Sequence, residues 1–99
     1  MTTKIRIEAQ VEGFVKSLAP VPRRSLRLAI RGLAGGGGDI KLLEGNLAAY
    51  SRLRVRGYRV IYRERIEGKV RVIDCVFAER RALVYEIFTR LLADEVEQA

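Results

Sequence analysis

The sequence contains no histidine and only one cysteine, Cys75, among its 99 residues. Without histidine, the chain lacks the side chain that most often moves protons near neutral pH and that is also the commonest metal ligand. A single cysteine cannot form an internal disulfide, and the apolar neighbours in VIDCVF predict a buried, inert thiol. The sequence therefore indicates no zinc site, and we expect no metal and no other cofactor.

Long apolar runs are also missing. No segment approaches the ~18 apolar residues of a membrane span, and the N-terminal MTTKIRIEAQ has no long apolar stretch like that of a signal peptide. Hydrophobic residues still make up 48% of the chain. That fraction is enough for one modest core, so we expect a single domain over residues 1–99 in a soluble, cytoplasmic protein.

Acidic residues are outnumbered by basic ones. The net charge is +7, and the pI is about 10.2. This balance indicates an anionic partner, which is a nucleic acid, an acidic protein or a membrane surface. Fifteen of the 19 basic residues are arginine. Guanidinium groups bind phosphate bidentately and stack on bases, which mildly favours nucleic acid, although the codon usage of a GC-rich genome would also produce many arginines.

The first half of the chain has the pattern of one strand followed by two helices. Lys4–Ile7 alternates polar and apolar residues. The next segment has apolar residues at helical spacing: Val11, Phe14, Val15 and Leu18. A second helix is predicted to begin near Pro22, with an apolar stripe of its own: Leu26, Ala29, Ile30 and Leu33. Gly35–Gly38 lacks the Lys and Ser/Thr that follow a phosphate-binding loop, so it predicts the end of this helix.

The second half is strand-like between residues 39 and 77, and helical after Phe77. Its segments are rich in β-branched and aromatic residues, and the short spacings between them indicate antiparallel hairpins. The closing helix has a further apolar stripe: Val84, Ile87, Phe88, Leu91 and Leu92. The predicted order is β-α-α-β-β-β-α, an α+β single domain with a largely antiparallel sheet and helices packed on it.

The segment YSRLRVRGYRVIYR predicts one hairpin with two different faces. If Arg56-Gly57 is a two-residue turn, Arg54 lies directly opposite Arg59. Alternation then gives an apolar face (Leu53, Val55, Tyr58, Val60 and Tyr62) and a basic face (Arg52, Arg54, Arg59, Ile61 and Arg63). Like charges directly opposite each other destabilise a strand pair by about 0.2–1 kcal/mol. Folding alone therefore does not favour the basic face, although solvent and nearby glutamates would screen it.

The positive charge is concentrated in the same region. Residues 52–81 contain ten basic and four acidic residues, which accounts for +6 of the net charge of +7. Arg80 and Arg81 lie just before the last helix, where the helix dipole is also positive. That position is unfavourable for the fold alone and favourable for a bound anion.

These motifs resemble the RelE/ParE superfamily of bacterial toxins from toxin–antitoxin pairs. The matching segments are LLEGNLAAYSRLRVRGYRVIYR and VRVIDCVFAERRALVY, followed by a closing helix, and the order of elements fits from Lys4 to about Leu92. The resemblance implies the RelE-like fold. It also implies a toxin that a cognate antitoxin neutralises, without a membrane partner.

In the RelE-like branch, the resemblance implies a ribosome-dependent mRNA endonuclease. Cleavage there needs no metal, because the RNA 2′-OH attacks the adjacent phosphate. The family's functional positions give four candidate catalytic residues: Arg54, Arg59, Arg81 and Tyr85. The other basic residues of the region are candidate RNA-binding residues: Arg52, Arg56, Arg63 and Arg80. Arginine is a poor general base because its pKa exceeds 12, so Glu44 and Glu79 are the candidate bases.

Two other functions remain open. The ParE branch consists of toxins that inhibit DNA gyrase without chemistry, and its members generally lack the full basic set and the C-terminal tyrosine. The VY pair at 84–85 with Arg54, Arg59 and Arg81 favours the endonuclease. The third alternative is a basic module that binds nucleic acid or protein and is not toxic.

Overall fold

The computed structural model describes residues 2–98 and the side chains of residues 2–96. Five strands and three helices follow one another as β1 (Thr2–Ile7), α1 (Ala9–Ser17), α2 (Pro20–Gly32), β2 (Asp39–Leu42), β3 (Ser51–Val55), β4 (Tyr58–Glu67), β5 (Val70–Arg80) and α3 (Val84–Gln98). Short 3-10 turns lie at Leu33–Gly35 and Gly45–Leu47. No helix within residues 2–98 has the length and apolar character needed to cross a bilayer.

The strands form one mixed sheet in the order β1-β5-β4-β3-β2. Strands β2 to β5 pair in chain order, each antiparallel to the next, while β1 pairs with β5 in parallel. The predicted α+β class and the largely antiparallel sheet are confirmed. The sheet has five strands where the predicted order has four; the additional strand is β2, a four-residue exposed edge strand within the region from residue 39 that the sequence marks as strand-like.

The β3–β4 hairpin has the predicted turn and register. Arg54 lies opposite Arg59, and Val55 lies opposite Tyr58. Arg56 turns the chain with a left-handed φ of 55°. The N–H of Arg81 donates to the Gly57 carbonyl oxygen at 2.8 Å, which ties the end of β5 to this turn.

Helices α1 and α2 cover one face of the sheet. The predicted apolar face of the hairpin packs here, with Leu53, Val60 and Tyr62 at most 2% exposed. The helices contribute apolar side chains to the same core, among them Val11, Val15, Leu18, Leu26, Ile30 and Leu33. Isolated helices of this length are marginal in water, so burial of the two apolar stripes against the sheet is what stabilises the helices within residues 9–32.

Helix α3 covers part of the opposite face of the sheet, which carries the predicted basic face of the hairpin. Ile61 is completely buried there in a second core with Phe77, Val84 and Phe88. The rings of Phe77 and Phe88 stack with centroids 5.6 Å apart. Helix α3 therefore divides the basic face of the hairpin, because it packs on Ile61, which lies between Arg59 and Arg63 in β4.

Candidate functional site

An open cavity lies where β2, β3 and β4 meet the beginning of α3. It has a volume of about 440 Å³ and six lining residues: Lys41, Leu43, Arg52, Arg59, Arg81 and Tyr85. We call it the arginine cavity. Four of its six residues are predicted site residues, and four of the six side chains are cationic at neutral pH.

Strand pairing explains how these residues converge. Lys41 of β2 lies opposite Arg52 of β3, so both side chains project from the same face of the sheet. Arg59 of β4 projects from this face too, because its neighbours Tyr58 and Val60 pack into the core on the other side. Arg81 and Tyr85 come from the connection after β5 and the first turn of α3.

Arg59 is the buried cation of the cavity, with 6% of its surface exposed. Its Nη1 donates to the carbonyl oxygens of Arg56 at 2.9 Å and Tyr58 at 2.8 Å. Burial lowers the pKa of Arg59, and the positive charges of Arg54, Arg52 and Arg81 lower it further, while Tyr85 acts in the opposite direction.

Among the described side chains, Arg59 forms no ion pair; its hydrogen bonds go to backbone carbonyls. A buried cation surrounded by like charges is costly for a fold, and such arrangements concentrate at functional sites. A bound anion in the cavity would compensate the positive charge of Arg59, and this is the simplest physical reason for burying the side chain there.

Arg52 and Arg54 share one carboxylate. Asp39 Oδ1 lies 3.4 Å from Arg52 Nη1, and Asp39 Oδ2 lies 3.8 Å from Arg54 Nε. Asp39 is more than half exposed, so both pairs are weak in water. One carboxylate beside two guanidinium groups orients them but leaves the rim of the cavity positive.

Tyr85 lies at the cavity rather than in the core, and 37% of its surface is exposed. The other tyrosines have packing roles. Tyr62 is buried, Tyr58 packs edge-on against Phe14 at a centroid distance of 5.9 Å, and Tyr50 packs edge-on against Phe88 at 5.0 Å.

Three candidate RNA-binding residues lie outside the arginine cavity. Arg56 is exposed in the hairpin turn, and Arg80 pairs with Tyr58, which places it on the opposite face of the sheet. Arg63 lines a different cavity of about 450 Å³ beneath the C-terminal half of α3, together with acidic residues such as Asp94 and Glu95. Arg54, a candidate catalytic residue, does not line the cavity either; it lies opposite Arg59 in the sheet.

Sequence reasoning missed Lys41 and Leu43. The signal was available, because placing β2 beside β3 would have put Lys41 opposite Arg52 on the basic face. The two candidate bases do not line the arginine cavity. Glu79 lies opposite Arg59 in the sheet, but its Oε2 accepts from the Arg80 N–H at 2.8 Å. Glu44 precedes the 3-10 turn at Gly45–Leu47.

No family model matches the chain, and no curated protein matches it in sequence. Among solved structures, the archaeal RelE–RelB complex of Pyrococcus horikoshii is similar with a TM-score of 0.59 and 28% identity over 82% of this chain and 97% of that chain.

Two bacterial structures show the same fold similarity. A YoeB/ParE toxin of Agrobacterium tumefaciens has a TM-score of 0.59 and 19% identity, and covers 79% of this chain and 98% of its own. The toxin–antitoxin complex RelBE2 of Mycobacterium tuberculosis has a TM-score of 0.59 and 20% identity over 82% of this chain and 100% of that chain. The resemblance found in the sequence motifs is thereby confirmed, and the chain has the fold of the RelE/ParE superfamily of toxins.

Proposed function

We propose that this protein is the toxin of a toxin–antitoxin pair and acts in the cytoplasm as a ribosome-dependent mRNA endonuclease. The observation that carries the proposal is the buried Arg59, which has no carboxylate partner and opens on a cavity with three further cations and Tyr85. The solved complexes similar to this chain contain RelE with RelB, which supports a protein antitoxin as the partner.

The cavity suits a phosphodiester held at one phosphorus. Arg59 and Arg81 bind the scissile phosphate and stabilise the charge that develops on its equatorial oxygens. Arg52 lines the same cavity, and Arg54 adds positive charge from its position opposite Arg59. The 2′-oxygen of the preceding nucleotide attacks phosphorus and loses its proton to water. The bond from phosphorus to the 5′-oxygen breaks, which leaves a 2′,3′-cyclic phosphate and a free 5′-hydroxyl.

Lys41 and Tyr85 complete the chemistry in this proposal. The departing 5′-oxygen needs a proton, and the guanidinium groups of the cavity hold theirs too tightly to supply it. Lys41 carries an ammonium group, donates one proton to the 5′-oxygen and recovers it from solvent. Tyr85 is exposed at the cavity and stacks on a base next to the scissile phosphate. The reaction uses no metal ion.

The test is cleavage of a defined mRNA in purified, programmed ribosomes, with mapping of the RNA ends. Wild-type protein should cut the mRNA at codons in the ribosome and leave 2′,3′-cyclic phosphate ends. Arg59→Ala combined with Tyr85→Ala should abolish cutting, whereas Tyr85→Phe alone, which keeps the stacking ring, should leave most of it. Arg71→Thr is the matched control, because Arg71 is also a strand arginine but pairs with Glu64 at 2.6 Å and lies outside the cavity.

The role of Lys41 has a test of its own. Lys41→Gln should slow the cleavage of normal mRNA by about 10²–10⁴-fold, the usual contribution of a general acid. An mRNA with sulfur in place of the scissile 5′-oxygen has a leaving group that needs no proton. The variant should cut that substrate nearly as fast as the wild type, and an equal defect on both substrates would exclude Lys41 as the acid.

The main alternative is inhibition of DNA gyrase without RNA chemistry. The arginine cavity favours the endonuclease, because a toxin that only binds protein has no need for a tyrosine and four cations around one opening. Induced expression separates the two functions. DNA damage and filamentation with intact mRNA would refute the proposed activity, whereas mRNA cut within codons would support it.

A further inference from the structure

The solvent side of α2 is a second basic surface, on the face of the sheet opposite to the arginine cavity. The helix sequence PVPRRSLRLAIRG contains four arginines and no acidic residue. Leu26 and Ile30 are buried in the first core, which turns Arg24, Arg27 and Arg31 towards solvent. We call these three residues the α2 arginine face.

The fold does not use the three side chains of this face for pairing. Arg23, the fourth arginine of the helix, is engaged, because Nη2 donates to the Leu18 carbonyl oxygen at 2.9 Å. Within residues 2–96, none of the α2 arginine face forms an ion pair. Glu12 of α1 lines a cavity together with Arg27 and Arg31, but it is bound by Lys16 at 2.7 Å.

The pKa of Glu12 also shows that Lys16, and not an arginine of α2, is its main partner. It is lowered first by the hydrogen bond and charge of Lys16, with Arg27 only a minor cause. Like charges three and four residues apart destabilise a helix. Arg24, Arg27 and Arg31 have this spacing, so the stability of α2 gains nothing from them.

We propose that the α2 arginine face binds the phosphate backbone of a structured RNA. The three charges lie along about 10 Å of helix, from the 1.5 Å rise per residue. They border a shallow cavity of about 210 Å³ next to Leu28. All are arginine, which forms bidentate contacts with phosphate that lysine does not form. Phosphate contacts of this kind fix position on RNA without reading its sequence.

The position of the α2 arginine face indicates how large the bound RNA has to be. The face lies across the sheet from the arginine cavity, and the molecule is 22 Å across in its thinnest direction. A single strand of a few nucleotides in the cavity does not reach it. An RNA that contacts both faces has to enclose the protein, as the walls of an RNA cleft do. Choosing the ribosome as that RNA rests on the proposed function, whereas phosphate binding by the face does not.

The experiment measures binding rather than cleavage, with two RNAs and three proteins. The RNAs are vacant bacterial ribosomes without mRNA and a four-nucleotide single strand, which is too short to run from the cavity to α2. The proteins are the wild type, a neutral triple variant (Arg24→Gln, Arg27→Gln and Arg31→Gln) and a charge-preserving triple variant with lysine at the same positions. Each Kd is measured from 50 to 300 mM salt, and thermal melting confirms that each variant is folded.

The neutral variant should lose at least tenfold in ribosome affinity at 100 mM salt. Its slope of log K against log salt should be shallower by about 2–3, since each phosphate contact contributes roughly 0.7–0.9. Binding of the short strand should change less than twofold, and the lysine variant should keep the wild-type slope.

An unchanged ribosome slope in the neutral variant would overturn the proposal. So would an equal loss on the short strand, because the face would then have no role specific to a large RNA. A neutral variant that binds ribosomes normally but no longer binds a co-expressed antitoxin would assign the face to an acidic protein instead. A wild type that binds ribosomes through this face but does not cut mRNA would contradict only the proposed function.

Discussion

Replacing Arg54 with threonine should make the protein more stable and less active. Arg54 lies directly opposite Arg59, and its charge is the largest electrostatic contribution that lowers the pKa of the buried Arg59. Removing this repulsion should stabilise the strand pair by about 0.2–1 kcal/mol. The upper half of that range applies because burial of Arg59 reduces screening by solvent.

The compensating loss in this variant is small. Arg54 gives up its contact with Asp39 at 3.8 Å, but Arg52 lies closer to the same carboxylate at 3.4 Å. An exposed pair of this kind contributes a few tenths of a kcal/mol. Threonine is also a favourable strand residue. The net gain is about 0.5 kcal/mol, which corresponds to a rise of roughly 2–4 °C in Tm for a domain of this size.

Thermal melting and ribosome-programmed cleavage of the same preparations test both halves of this prediction. Arg71→Thr is the control for stability, because it removes an arginine bound to Glu64 and should lower Tm slightly without affecting cleavage. If Arg54→Thr lowers Tm as much as Arg71→Thr does, the repulsion between Arg54 and Arg59 does not destabilise the hairpin. A rise in Tm with full activity would exclude Arg54 from the site.

Three further predictions concern stability and reactivity outside the cavity. The hydrogen bond from Arg65 lowers the pKa of the buried Asp74 against the opposing effect of burial, so its stabilisation is present above the unfolded value near 4 and is lost as pH falls through the lower folded pKa. Asp74→Asn should therefore cost about 2 kcal/mol at pH 7 and flatten the decline of the urea midpoint below about pH 4; an identical pH profile for the two proteins would contradict this. Burial raises the pKa of Cys75 to about 12, so iodoacetamide at pH 8 should modify it only in concentrated urea, as mass spectrometry would show, and rapid modification of the native protein would be inconsistent with the buried thiol. Arg56 has a φ of 55°, so Arg56→Gly should raise Tm by a few degrees while the β-branched Arg56→Val lowers it, and the opposite order would refute strain at this turn.

The hairpin register could be predicted because its determinants are local. The Arg56-Gly57 turn and the alternation of two short strands fix which residues face each other, and the predicted pair Arg54–Arg59 is observed. The two helical stripes were equally readable, since Val11, Val15, Leu26 and Ile30 all lie in the core. The motif at 81–85 placed Arg81 and Tyr85 near the cavity, but only by resemblance.

Membership of the cavity could not be predicted from alternation, because it depends on where α3 packs. Arg59 and Arg63 lie on the same face of β4, yet they line different cavities. Ile61 between them is buried under α3, and the helix separates the two arginines. Lys41 was missed for a related reason, since the strand-like character of residues 39–45 does not show which strand they pair with, and Lys41 joins the basic face only through its pairing with Arg52. Long-range packing thus selects a site from a larger set of basic residues that the sequence makes equivalent.

The two basic surfaces of the fold differ in how the protein supports them, and this difference constrains function. In the arginine cavity, Arg59 is buried and donates to the carbonyl oxygens of Arg56 and Tyr58, so its guanidinium is held in place before any ligand arrives. On α2, the three arginines are exposed side chains on a helix and are free to adjust to an irregular backbone. A fixed cation suits a single phosphate at which charge changes during a reaction, because it needs no reorganisation. Mobile cations suit binding that depends on total charge and not on the position of one atom. This difference supports the two proposals together, namely that the protein docks on a polyanion through α2 and acts on it through the arginine cavity.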